Sequence, residues 1–96
     1  MKPNIAEARV GVILEGRVQG VGFRYTVKSL SPGYEVTGTV RNRTDGAVEL
    51  VAEGSEEELD AFLQAVRDSG LGPMIRDESV QWAKALDNLS GFEIVR

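Results

Sequence analysis

The sequence of 96 residues contains no cysteine and no histidine. Without cysteine there is no disulfide, no thiolate nucleophile and no sulfur ligand for a metal. Without histidine, the chain lacks the commonest metal ligand and the commonest general base. We therefore expect neither a metal nor a cofactor, and a function whose chemistry needs neither of these side chains.

Long apolar runs are also missing, since no stretch is long enough to cross a bilayer. Residues 1–8 lack the apolar core of a signal peptide. An apolar content of 42% and a charged content of 27% are ordinary for a globular domain. The sequence predicts one cytoplasmic domain over residues 9–96, preceded by a flexible N-terminal tail at residues 1–8. We expect a monomer that does not bind membranes.

Charge is distributed unevenly along the chain, whose net charge is −4. Residues 17–43 carry five basic residues against Glu35 alone, a net +4, whereas the remainder carries six basic and fourteen acidic residues, a net −8. A basic segment on an acidic domain suits a small anion, because the acidic remainder would repel a long polyanion. We therefore expect no nucleic acid partner. The number of basic residues alone does not exclude that these charges simply face solvent.

Hydrophobic periodicity predicts the element order βαββαβ, followed by a short final strand. Apolar residues alternate, as in strands, over residues 9–15, 35–42 and 47–53, within 76–86, and at 92–95. Apolar residues three and four positions apart mark two helices. The first helix ends at Ser31-Pro32-Gly33, and the second lies between a capping box at Ser55 and a stop at Gly70. Right-handed crossovers on this order give an α+β fold, with an antiparallel sheet and two helices on one face.

The segment between the first strand and the first helix is the main candidate for function. Its sequence is Gly16-Arg17-Val18-Gln19-Gly20-Val21-Gly22-Phe23-Arg24. Glycines allow a sharp bend and leave main-chain N–H groups unshielded, and consecutive N–H groups at a helix entrance suit an oxyanion. Arg24 adds a permanent, forked cation. The segment predicts a phosphate site at residues 19–24, although its glycines alone would also suit a simple tight turn. Tyr25 stands where a dinucleotide fingerprint needs glycine.

Two segments together resemble the signatures of the acylphosphatase family. One is the glycine segment, and the other, which runs on to Gly54, is Gly38-Thr39-Val40-Arg41-Asn42-Arg43-Thr44-Asp45-Gly46-Ala47-Val48. The resemblance extends over residues 9–96. It implies a ferredoxin-like α/β sandwich and an enzyme that hydrolyses acyl phosphates to a carboxylate and phosphate. Phosphate or another oxyanion would bind as product or inhibitor. Thr39 departs from the family, which commonly has an aromatic residue there.

By position, the resemblance implies that Arg24 binds the phosphate and that Asn42 positions the attacking water, so both would be catalytic. The phosphate would lie against the main chain of Gln19, Gly20, Val21, Gly22 and Phe23. In a split βαβ unit the first two strands are parallel, so Asn42 and the loop are expected at the same end of the molecule. An acyl phosphate is already activated, so a clamp and one oriented water suffice without a covalent nucleophile.

Two other functions fit the same element order. A non-catalytic anion-binding regulatory domain would bind phosphate but leave an acyl phosphate intact, and the fold alone does not exclude it. An RNA-binding module would need exposed aromatic residues on its sheet, and the third predicted strand, residues 47–53, has none. The individual residues also have simpler readings, since Asn42 is common in turns and Arg24 suits a helix surface.

Overall fold

The computed structural model of the protein describes residues 7–96. The elements are β1 (Ala8–Gly16), α1 (Phe23–Leu30), β2 (Thr37–Asn42), β3 (Val48–Gly54), α2 (Glu56–Asp68), β4 (Ile75–Lys84) and β5 (Phe92–Ile94). Short 3-10 turns lie at Ser31–Gly33 and Gly72–Met74. The predicted order of strands and helices is confirmed.

The five strands form one sheet in the order β4-β1-β3-β2-β5. The pairs β1–β3, β1–β4 and β2–β3 are antiparallel, and β2–β5 is parallel. The predicted ferredoxin-like α+β sandwich is confirmed, and the one pair that departs from an antiparallel sheet involves the short final strand. The chain leaves β4 at one edge of the sheet, crosses to the other edge and reverses direction there. β5 therefore runs opposite to β4 and parallel to β2.

The core lies between the helices and one face of the sheet. Alternation along the strands places every second side chain on this face, and the register pairs Val10 with Ala52, Val12 with Leu50 and Leu14 with Val48. The helices contribute the buried residues Phe23, Val27, Leu59, Phe62, Leu63 and Val66. The ring centre of Phe62 lies 5.7 Å from that of Tyr34 and 5.5 Å from that of Phe92. This aromatic cluster joins α2 to the segment before β2 and to β5.

Two of the differences between the predicted and the observed element ends have an identifiable contact behind them. The Ser55 hydroxyl caps α2 by accepting from the Glu58 N–H, but the Glu58 carboxylate accepts instead from the Glu35 N–H, at 2.8 Å. Glu35 is thereby held in the connection, and β2 begins only at Thr37. At the other end of the chain, Ala8 was predicted in the tail but lies in β1, paired with Gly54. Residues 1–6 of the predicted tail lie outside the described residues.

A buried carboxylate fixes the segment that crosses from β4 to β5. Glu53 points away from the helices and is only 1% exposed. Its Oε2 accepts from the Leu86 N–H and from Arg9 Nη1, both at 2.8 Å, and its Oε1 accepts from the Asp87 N–H at 3.0 Å. Burial alone would raise the pKa of Glu53, but these hydrogen bonds and the charge of Arg9 outweigh it and hold the pKa below its ordinary value.

Replacing Glu53 with Gln is expected to destabilise the fold in a pH-dependent way. A carboxyl with a lowered pKa stabilises the folded state above its unfolded value, about 4.3, and this contribution is lost as the pH falls through the folded pKa. We expect Glu53→Gln to lower the free energy of unfolding at pH 7 by about 3 kcal/mol, because three donors lose a charged acceptor. Urea unfolding at several pH values measures the difference.

The gap between the wild type and Glu53→Gln should begin to shrink below the unfolded pKa, about 4.3, and should shrink further as the pH falls through the lower folded pKa. Glu93→Gln, on the exposed surface of β5, is the matched control and should change stability little. A gap of constant size from pH 7 to pH 3 would contradict the role given to the Glu53 charge.

Candidate active site

The loop between β1 and α1 has a backbone that only glycine adopts easily. Gly20 and Gly22 have φ values of +76° and +80°. Gly22, the residue before α1, is in the left-handed region at ψ 18°. A Cβ atom at either glycine would meet no atom within 4 Å. The requirement for glycine therefore comes from the backbone conformation and not from lack of space.

The main-chain N–H groups of this loop are not used by the fold. Within residues 7–96, the N–H groups of Gln19 to Phe23 donate to no carbonyl and no side chain. The first bonded N–H groups on either side are that of Arg17, which donates to the Met74 carbonyl at 2.9 Å, and that of Thr26, which donates to the Gly22 carbonyl at 3.0 Å. Residues 20–22 are exposed, and several free N–H groups in succession at a helix N-terminus suit an oxyanion. The donors that the predicted cradle would use at residues 19–23 therefore have no partner in the fold, and the cradle itself stays a prediction.

Arg24 lies in the first turn of α1, at the exit of the loop, and is half-buried. In the described part of the chain, the Arg24 side chain forms neither an ion pair nor a hydrogen bond. Two neighbours in the basic segment are neutralised, because Arg41 pairs with Glu49 and Arg43 with Asp45. The guanidinium of Arg24 thus keeps its charge and its donors available for an anion.

Asn42 is the last residue of β2 and faces Val48 across the β2–β3 pair. Its side chain lies on the same face of the sheet as Val40, towards the helices. The Asn42 Oδ1 atom is buried and has no hydrogen-bond partner among residues 7–96. An orphaned buried carbonyl oxygen costs about 1–3 kcal/mol and is uncommon in native structures. Such an atom is suited to hold a water or a substrate group.

The loop and Asn42 lie at the same end of the sheet. β1 and β2 both pair antiparallel with β3, so they run parallel and end at one edge. The Gln19 side chain makes the contact direct, since its Nε2 donates to the Arg43 carbonyl at 2.8 Å and to the Ala47 carbonyl at 2.9 Å. The sequence analysis predicts a role in the site only for the main chain of Gln19. No local pattern predicts its side-chain bonds, because the partners are 24 and 28 residues away.

Residues 7–96 contain no cluster of three or more acidic side chains arranged to hold a metal. None of the helices there has the length and apolar character needed to cross a bilayer.

The fold is a ferredoxin-like sandwich, and the loop after β1 presents successive main-chain N–H groups without a partner among residues 7–96. The Acylphosphatase family model matches residues 10–94. The acylphosphatase of Bacillus velezensis is 55% identical over 83 residues, which cover 86% of this chain and 92% of that protein. The acylphosphatase of Salinibacter ruber is 39% identical over 90 residues, covering 94% and 95%. The crystal structure of acylphosphatase from Bacillus subtilis has a TM-score of 0.84 at 39% identity, covering 93% of this chain and 99% of that one.

The chain belongs to the acylphosphatase family. The resemblance inferred from the two signatures is confirmed, and so is the predicted enzyme class, a hydrolase of acyl phosphates. The alternative of a non-catalytic regulatory domain is not favoured. The particular roles of Arg24, Asn42 and residues 19–23 stay predictions.

Replacing Gly22 with Ala tests the conformational requirement of the loop. We expect Gly22→Ala to lower the free energy of unfolding by about 1 kcal/mol, because a Cβ is disfavoured in the left-handed region even where space is free. Hydrolysis of acetyl phosphate should fall as well, since relaxing this φ turns the adjacent amides. Gly33→Ala is the control, because Gly33 has no positive φ and equally free space. Equal stability of the two variants would contradict this explanation.

Proposed function

We propose that this chain hydrolyses acyl phosphates by holding the phosphoryl group between the N–H groups of residues 19–23 and the Arg24 guanidinium, while Asn42 positions the attacking water. The observation that supports this most strongly is the buried, unpartnered Oδ1 of Asn42 at the sheet edge where the loop donors are also unpaired. One polar atom without a partner would be an oddity of packing. An acceptor and several donors, gathered at one edge, form a complementary set.

The donors of the loop act on the phosphoryl oxygens. In phosphoryl transfer most of the catalysis comes from positioning and from stabilising the charge on these oxygens. Main-chain N–H groups are fixed by the fold, so they need no reorganisation when the charge shifts. The planar guanidinium of Arg24 can donate two parallel hydrogen bonds to two oxygens.

Asn42 acts on the water. An amide is too weak a base to remove a proton, but its oxygen accepts from water and its NH₂ donates. The water oxygen attacks phosphorus, the bond from phosphorus to the acyl oxygen breaks, and the carboxylate leaves with the electron pair. Both hydrogens of the water end on the phosphate, and we assign the proton transfer to the phosphoryl oxygens themselves. The carboxylate is a good leaving group, so placement of the water is the main requirement.

Inorganic phosphate fits the same donors as the substrate, so we expect it to inhibit competitively. A monomeric state, a cytoplasmic location and the lack of a nucleic acid partner remain predictions from composition and charge.

Arg24→Ala and Asn42→Ala test the two catalytic roles. We expect each to lower kcat/KM for acetyl phosphate by about 10²- to 10³-fold, the usual effect of removing one group that stabilises or orients the transition state. Asn42→Ala should leave the free energy of unfolding unchanged or higher, because the oxygen that it removes has no partner. Arg76→Ala, an exposed arginine of β4, is the control. A folded Arg24→Ala or Asn42→Ala enzyme with the wild-type rate would rule out the mechanism.

The pH dependence and the response to chelators test the chemistry as a whole. The sequence has no histidine or cysteine to titrate near neutrality. We therefore expect kcat to change by less than about twofold between about pH 5.5 and pH 8, and to be unaffected by EDTA. A rate that follows a single neutral pKa, or that is lost on chelation and restored by a divalent metal, would contradict this proposal.

A further inference from the structure

We infer that Gln19 is a positioning residue for the hydrolysis: its side-chain amide holds the phosphate loop at a fixed distance from Asn42. The inference rests on the proposed function, because it assigns to Gln19 the alignment of the two parts of that site. It concerns the side chain, whereas the cradle uses only the main chain of this residue.

The contact is a bridge between the loop and the hairpin. The single NH₂ group of Gln19 donates to the carbonyls of Arg43 and Ala47, at 2.8 and 2.9 Å. These residues face each other at the base of the β2–β3 hairpin, where the Arg43 N–H donates to the Ala47 carbonyl at 2.8 Å. Asn42 immediately precedes Arg43 in the chain. The amide that orients the water and the first amide of the cradle are therefore connected through one side chain.

The hairpin does not need this bridge in order to close. The Arg43 carbonyl also accepts from the Gly46 N–H at 3.2 Å, and the Ala47 carbonyl also accepts from the Arg43 N–H. The Asp45 carboxylate accepts from the Ala47 N–H at 3.1 Å and closes the turn further. Removing the Gln19 amide would leave each carbonyl with one main-chain partner. Loss of this amide therefore costs little stability, but the distance between the loop and the hairpin is then no longer fixed.

That distance matters for the rate more than for binding. The N–H donors belong to the loop itself, so a loop that moves slightly still binds a phosphate. The water, in contrast, is held from the hairpin side, and its line of attack on phosphorus changes when the loop moves. A displacement of about 1 Å between reacting groups can cost 10²-fold in rate. Loss of the bridge should consequently lower kcat while leaving the inhibition constant of phosphate nearly unchanged.

A double-mutant cycle between Gln19→Met and Asn42→Ala tests this inference on the full chain. Methionine keeps the length of glutamine but has no donor. We expect Gln19→Met to lower kcat for acetyl phosphate about 10- to 100-fold, and to change the inhibition constant of inorganic phosphate by less than about threefold. In the Asn42→Ala background the same substitution should lower kcat by less than about twofold, because no amide remains to be aligned. Gln64→Met, which removes an exposed glutamine bonded to Asp68, should have no effect.

Gln19→Glu provides a second readout that does not depend on the folding of Gln19→Met. An ionised carboxylate has no donor and repels the two carbonyls, whereas the protonated form can donate one hydrogen bond. The kcat of Gln19→Glu should therefore rise as the pH falls, while that of the wild type stays level. Because an ionised carboxylate also repels phosphate, the inhibition constant of inorganic phosphate is measured over the same pH range, and only a rise in kcat that this constant does not follow supports the bridge.

The outcomes separate this inference from the proposed function. If Asn42→Ala is impaired but the losses from Gln19→Met and Asn42→Ala multiply in the double variant, Gln19 does not act through Asn42 and the inference is wrong. Wild-type kcat in Gln19→Met, or a level pH profile in Gln19→Glu, would also overturn it. If Asn42→Ala itself keeps the wild-type rate, the proposed function fails, and the inference fails with it.

Discussion

The position of β3 between β1 and β2 is the constraint on which the site depends. Because both outer strands pair antiparallel with it, they must point the same way and end at the same edge of the sheet. The register is fixed by the core, since a shift of one residue would turn Val12, Leu50 and Val40 from the helices to the other face. Hydrophobic packing thereby sets where the loop after β1 and the last residue of β2 lie. The polar groups of the site need only occupy the positions that the core provides.

Polar groups lie at both ends of the sheet, and the two sets differ in how far the described residues satisfy them. At the end away from the loop, Glu53 accepts from two main-chain N–H groups and from Arg9. At the loop end, the Asn42 Oδ1 has no partner, and the N–H groups of residues 19–23 donate to none within residues 7–96. A satisfied polar cluster holds the chain in one arrangement, whereas a buried acceptor without a partner, here the Asn42 Oδ1, costs stability until a water or a ligand completes it. We take this contrast as support for a structural role of Glu53 and for the proposed role of Asn42.

Much of the fold could be predicted from local pattern, because alternation and capping act within a few residues. The strand of Val10, Val12 and Leu14 and the cap at Ser55 follow from such spacing. The late start of β2 could not be predicted in this way, since it depends on a hydrogen bond between Glu35 and Glu58, which are 23 residues apart. The parallel final strand depends likewise on how the chain crosses the sheet after β4. Distant partners leave no trace in a short window of sequence.

The same limit applies to the site. Gly20, Gly22 and Arg24 stand together in one signature, so their association is a local property of the sequence. Asn42 was assigned to the same site from the second signature and from the expected parallel direction of the first two strands. The bridge from Gln19 was not predicted, because its acceptors are main-chain carbonyls, which every residue possesses. The ion pairs of Arg41 and Arg43 were not predicted either, because a count of charges treats these two arginines as equal to Arg24.

That pairing clarifies how a site without histidine can work. A protein that has no group titrating near neutrality must obtain its rate from placement and from fixed charge. Fixed charge is useful only if it draws the phosphoryl group to one position. Glu49 and Asp45 neutralise the two arginines that flank Asn42, so the guanidinium of Arg24 has no competitor on the hairpin side. In the mechanism that we propose, the anion then binds at the loop and Asn42 holds the water. The nucleophile and the phosphorus are therefore held by different segments of the chain, which the fold and the proposed Gln19 bridge keep aligned.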